Sequence, residues 1–384
     1  MKTNQVHIKK NSDVKKELDT LSTLSPQLVM IFGDVDGFAS KGLPKEISTH
    51  FPKSVVVGCS TSGEITNKGS FISTTVVHAC HFESAVHLQP VSEKINGMKD
   101  SLECGRRLAR QLKKDQLKYI FVLGCGLDIN GSLVIQGIRD IVGNEVLITG
   151  GLAGDSQRFQ QTFTILNGDI SDKSVVAVGL SGGNLQTAYG SMGGWEPFGP
   201  IRRVTKSVDN IMFELDGEPA LDVYKKYLGD RTKDLPASGL LYPFAILKDN
   251  HDTSGLIRTI LNVDESNKSL IFAGDIPEKG IVQLMHSSND ALIDGAKKAA
   301  EFTIEGLGGK QKEGLGILVS CVGRKLVMGE DIDDELDAVR DVLGQIPMVG
   351  FYSYGEICPQ HGFQECKLHN QTMTITYLYE SKTA

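Results

Sequence analysis

One pattern occurs three times in this chain and limits what it can fold into. A buried-type strand is followed by a loop and helix, then by a second strand that breaks at a glycine-rich turn ending in Gly-acid. The copies run from LVMIF (28–32) to VVVGCSTSGE (55–64), from YIFVL (119–123) to VLITGGLAGD (146–155), and from GILVS (316–320) to PMVGFYSYGE (347–356). Glycine at a strand end permits positive φ and a close approach by another group. Three such turns at similar spacing predict duplicated strand-helix-strand units with equivalent loops. The fold class is then α/β (mixed α+β), with mixed β-sheets. The pattern names no reaction.

A chain of 384 residues has length for two domains. Its net charge of −7 argues against nucleic acid as the main partner, because phosphate binding needs a basic face. The local basic cluster of Arg106, Arg107, Arg110, Lys113 and Lys114 reads as a solvated helix face. No stretch has the length and apolarity of a membrane span, and the first ten residues lack the apolar core of a secretion signal. Seven scattered cysteines, an odd number, fit a reduced cytoplasmic protein and not a disulfide framework. Residues 1–11 read as a mobile tail and 13–24 as an amphipathic helix. Further helices are expected over 102–112, 133–142 and 289–305, and a final strand over 370–379. The polar stretch 229–239, with Pro236, makes a seam, which divides the chain into 1–24, 25–228 and 229–384.

Each candidate for chemistry has a plainer alternative. Ser60, Ser62 and Ser353 lie near glycines but miss the G-x-S-x-G spacing of a nucleophile elbow, so turn hydrogen bonding is the better reading. GGLAG (150–154) lacks the Gly-Lys-Ser/Thr ending of a phosphate loop. His78, Cys80 and His81 have no second ligand pair at metal-site spacing. Glu64, Asp155 and Glu356 each follow a glycine; they suit either turn bonding or a cationic ligand group. His369 heads an alternating strand in which Gln371, Met373, Ile375 and Tyr377 share its face. A lone histidine there is most often a bonded core residue. A flat apolar wall with one imidazole is also what an iron porphyrin needs. Cys358 before Pro359 suits either a turn or a thiolate ligand. His286 and His361 are weaker ligand candidates.

Taken in order, GCSTSGEI (58–65), GGLAGD (150–155), ELDGEPALDVY (214–224), SCVGR (320–324), GFYSYGEICP (350–359) and LHNQTMTIT (368–376) resemble the FIST family of bacterial sensory proteins over about residues 25–380. The resemblance implies an N-type domain at 25–228 and a C-type domain at 229–384. It also implies a non-enzymatic sensor without its own output module. Stand-alone members of this length resemble a group that binds haem b, senses nitric oxide and modulates a partner histidine kinase, with effects on cyclic-di-GMP and biofilm. His369 is then the preferred axial ligand, with Cys358, His286 and His361 as alternatives. A second reading is a sensor of the same fold that binds an amino acid or other metabolite. There Glu64, Asp155 or Glu356 would take the amine and Arg324 the carboxylate through its bidentate fork. A third is an enzyme using Cys59 or Cys321, which would show as fast alkylation.

Overall fold

The computed structural model describes residues 1–113, 115–156, 158–249, 256–309, 313–360 and 365–381. Each repeat forms a parallel strand pair joined by a crossover helix. Leu28–Gly33 lies beside Val55–Ser60 with Ile31 opposite Gly58. Leu117–Gly124 lies beside Leu147–Leu152 with Val122 opposite Gly150, and Gly314–Cys321 beside Met348–Ser353 with Leu318 opposite Gly350. The helices Leu43–His50, Gly131–Val142 and Ile332–Leu343 make the crossovers. Each first strand also pairs antiparallel with Thr75–His81, Ser174–Ser181 or Met373–Glu380. Those strands in turn carry Lys2–Ile8, His87–Lys94 or Leu185–Met192.

The last two places in every sheet are filled by a hairpin from a different unit. The hairpin Glu64–Thr66/Gly69–Phe71 of the first unit pairs with Met348–Ser353 of the third. Thr164–Leu166/Asp169–Ser171 of the second pairs with Val55–Ser60 of the first. Gly355–Pro359/Cys366–His369 of the third pairs with Leu147–Leu152 of the second. Among the described residues this gives three six-stranded sheets of one common strand order, linked in a ring by exchanged hairpins.

Strand alternation sorts the apolar side chains. Met30 and Phe32, Tyr119 and Phe121, and Ile317 and Val319 point inward to one core shared by the three sheets. Their neighbours point outward under helices: Val29 and Ile31 with Leu18 and Ile47, Ile120 and Val122 with Leu108 and Ile138, Leu318 with Leu292 and Leu336. Each such Phe or Leu contributes about 1.5–3 kcal/mol. Burial on both faces explains why the strands read as continuous apolar runs.

A fourth body interrupts the third unit between Leu185–Met192 and the helix Asn289–Gly306. It is an eight-stranded antiparallel sheet from Glu196–Val208 to Ile281–His286, with its own core around Val204, Tyr224, Phe244 and Phe272. The chain enters at Gly193-Gly194 and leaves at Ser287-Ser288, and Ser287 Oγ donates to the Gly194 carbonyl at 2.8 Å. Gly194 has φ +77°, and a Cβ there would lie 2.1 Å from the Ala291 carbonyl oxygen. The seam drawn at 228/229 falls inside this body, where the helix Ala220–Leu228 ends.

Two expectations are corrected. Residues 2–8 form a strand and not a mobile tail, because Val6 and Ile8 alternate into the outer core while the backbone pairs with Thr75–His81. The final strand expected over 370–379 starts at Met373, and His369 does not head it but ends a separate strand, Cys366–His369, in another sheet. Gln371 has φ +59°, a left-handed conformation that ends the first strand, so His369 does not share a face with Met373, Ile375 and Tyr377. In the basic cluster Arg106 pairs with Glu103 and Asp140, and Arg107 with Glu93 and Asp100, while Lys114 lies outside the described residues.

Candidate functional site

The three glycine-rich turns meet at the centre of the ring. Gly58, Gly150 and Gly350 lie so close to the neighbouring strand that a Cβ would sit 2.0, 1.8 and 1.8 Å from the carbonyl oxygens of Ile31, Val122 and Leu318. Four residues later, each turn donates its backbone N–H to another unit. Ser62 N–H reaches the Tyr352 carbonyl at 2.9 Å, Gly154 N–H the Ser60 carbonyl at 2.9 Å, and Tyr354 N–H the Leu152 carbonyl at 3.1 Å. These three bonds close the ring in one sense.

The acids follow directly and are bonded within the protein. Glu64 accepts from Thr61 Oγ1 and Thr74 Oγ1, both at 2.7 Å, and burial pushes its carboxyl up to about 7. Glu356 accepts from Ser353 Oγ at 2.7 Å and Thr372 N–H at 3.2 Å, and burial pushes it up to about 8. The second turn has Ala153 where the others have a hydroxyl. Asp155 instead accepts the N–H groups of Phe159, Gln160 and Gln161 at 2.8–2.9 Å, and the Tyr354 hydroxyl. The recurring acids thus brace turns. Lys325 spans two units, donating to the Ser62 carbonyl at 2.8 Å, and burial lowers its ammonium.

Arg324 is fully buried. Its Nε and Nη2 donate to Glu335 Oε2 at 2.7 and 2.5 Å, Nη2 also to the Leu292 carbonyl at 2.7 Å, and Nη1 to the Gly193 carbonyl. The fork assigned to a ligand carboxylate is thereby engaged. His369 is buried, its Nε2–H donates to the Cys358 carbonyl at 2.9 Å, and burial lowers its imidazole to about 4. Cys358 is fully buried and burial holds its thiol well above the usual range. His286 packs edge-on against Phe198 at the end of its strand, and His361 lies outside the described residues. His369 and Cys358 are buried within the hairpin Gly355–Pro359/Cys366–His369. As placed, these two buried side chains do not fit haem. Cys59 and Cys321 are buried, and burial raises both thiols, the reverse of an activated nucleophile.

A groove of about 140 Å³ opens between the ring and the inserted sheet. Met98, Leu127, Leu152, Phe159 and Tyr354 line it from the ring, and Asn210, Leu261 and Phe272 from the insertion. Phe159 stacks on Tyr354 with ring centroids 4.5 Å apart and has φ +49°, held by the Asp155 bonds. Polar ties flank the groove: Asn130 Nδ2 donates to Asp275 Oδ1 at 2.8 Å, and buried Arg258 donates to the Leu368 carbonyl at 3.1 Å. Leu152, Tyr354 and Leu368 fall within the quoted motifs, but none of the groove residues stood as a site candidate in the sequence. The available signal was apolar Phe159 and Leu261 in otherwise polar or edge segments, where they stay 44% and 42% exposed.

Among curated relatives, an uncharacterized protein of Methanocaldococcus jannaschii is 25% identical, the match covering 80% of this chain and 65% of that protein. One of Mycobacterium tuberculosis is 27% identical over 64% of this chain and 63% of its own length. The chain therefore spans under two thirds of the length of these relatives. The expectation of a chain that is not an enzyme does not stand. Solved structures matching 99% of both chains include a cyanuric acid hydrolase from A. caulinodans, at TM-score 0.39 and 9% identity. A second cyanuric acid hydrolase matches at TM-score 0.34 and 9% identity. So distant a likeness assigns no substrate or catalytic residue here. No helix among the described residues is long and apolar enough to cross a membrane. The FIST N domain model matches residues 27–218 and the FIST C domain model residues 220–359, and so the chain belongs to the FIST family.

Proposed function

We propose that this chain is a ligand-sensing signalling protein whose small metabolite sits in the groove between ring and inserted sheet. The family supplies the sensory role. The observation that carries the reading is the origin of the groove's walls: Phe159 and Tyr354 belong to the ring, Leu261 and Phe272 to the insertion. A ligand touching both walls binds one seating of the insertion better than others and shifts the population toward it. Coupling of about 1–3 kcal/mol is enough for such a switch. The paired Gly193-Gly194 and Ser287-Ser288 connections give the insertion a narrow attachment about which to reseat. Family resemblance supports a separate signalling protein, of histidine-kinase type, as the reader of that seating.

The test is a thermal-shift screen of amino acids, amines and carboxylates, followed by hydrogen exchange. A ligand at a hundred times its Kd adds about 2.7 kcal/mol, a rise in Tm of roughly 3 °C for a chain of this size. Exchange should slow on both walls, at 126–130 and 258–275. A ligand whose protection falls elsewhere, or a screen without any saturable shift, overturns the reading.

A further inference from the structure

Resting on that reading, we infer that the groove takes a ring-sized apolar group carrying an ammonium, an arylalkylamine in chemical class. Volume sets the first part. A cavity of about 150 Å³ with apolar walls accommodates benzene, and this groove has about 140 Å³. Its aromatic side is already organised, with Phe159 stacked on Tyr354 and Phe272 opposite. Phe159, Leu261 and Met98 keep 44%, 42% and 37% of their surface exposed around this one concavity, so a bound ring removes apolar area from water on several sides.

The polar groups set the second part. Asn130 is used at both ends, its Nδ2 on Asp275 and its Oδ1 on the Leu133 N–H at 3.1 Å. The Asn210 amide donates to the Phe272 carbonyl at 2.8 Å, and the Tyr354 hydroxyl to Asp155. The Arg258 guanidinium lies behind Gly274 and is held by the carbonyls of Ile257 and Leu368. Among the described lining residues, Asp128 carries the one charged side chain, and it is exposed at the rim against Gly97. The lining therefore asks its occupant for an apolar body and a cation on the Asp128 side. A carboxylate placed there would meet like charge.

The experiment uses the full chain with 2-phenylethylamine and its acidic counterpart phenylacetate, followed by calorimetry and by ligand-observed NMR. The amine should bind saturably, about fivefold or more tighter than the acid. Asp128→Asn should abolish that preference while keeping the fold, since Asp128 has φ +54° and asparagine accepts a left-handed conformation equally well. Phe159→Ala should weaken the amine and acid alike. Equal or tighter binding of phenylacetate, or a preference unchanged in Asp128→Asn, overturns the inference. If another small molecule protects the groove walls while the amine does not bind, the inference falls and the sensing reading stands. If neither the amine nor any screened compound protects those walls, both fall. Occupation by an apolar peptide alone also overturns it.

Discussion

Glu356 has no exposed surface, and burial raises its carboxyl from 4.5 to about 8. The folded chain keeps this proton up to about pH 8, whereas the unfolded chain releases it near 4.5. The stability that the neutral form contributes is whole at low pH and lost as pH rises through the folded value. Glu64, raised to about 7, acts in the same direction over a shorter window. Each group's slope is at most about 1.4 kcal/mol per pH unit. Glu356→Gln removes the titration; its amide oxygen can still accept from the Thr372 N–H while its NH2 donates to the Ser353 hydroxyl. Urea unfolding of wild type and variant at pH 5 and pH 8 should show the wild type losing more stability than the variant; parallel losses would refute this assignment. The recurrence of acids after glycine was legible in the sequence. Their partners were not, because nothing local marks Thr74 or the Thr372 N–H as the donor that meets each carboxylate.

Among elements, the parallel pairs were readable because each is a continuous apolar run with its crossover helix nearby in sequence. The exchanged hairpins were not, since pairing between Val349 and Thr66 leaves no local trace. Nor was the break at Gln371, where a polar residue in a left-handed conformation turns one alternating run into two strands. That break removed the argument for His369, which rested on an unbroken face. The glycines at 58, 150 and 350 matter at this scale because they allow two strands to lie at full contact. Gly350→Ala would press a methyl to 1.8 Å from the Leu318 carbonyl, which backbone must yield to relieve. We expect a loss of more than about 3 kcal/mol, or no folded protein, in denaturant titration; a loss below 1 kcal/mol would show that the strand pair adjusts freely.

At the scale of the molecule, the ring and the insertion are unequal partners. The insertion has its own core and leaves the ring where it entered, with Gly194 and Ser287 in contact. Replacing residues 196–286 with a short glycine-serine linker should leave a folded ring with one cooperative transition in calorimetry, and an aggregated or unfolded product would count against that independence. The ring itself is not divisible in this way. On the ribosome the hairpin at 64–71 is made well before the strand it pairs with, Met348–Ser353. Leu185–Met192 likewise waits for Met373–Glu380. Nascent chains therefore carry unpaired sheet edges while the intervening residues are made, and closure of these distant pairs sets a slow pace for folding and leaves a long interval in which chaperones must shield those edges.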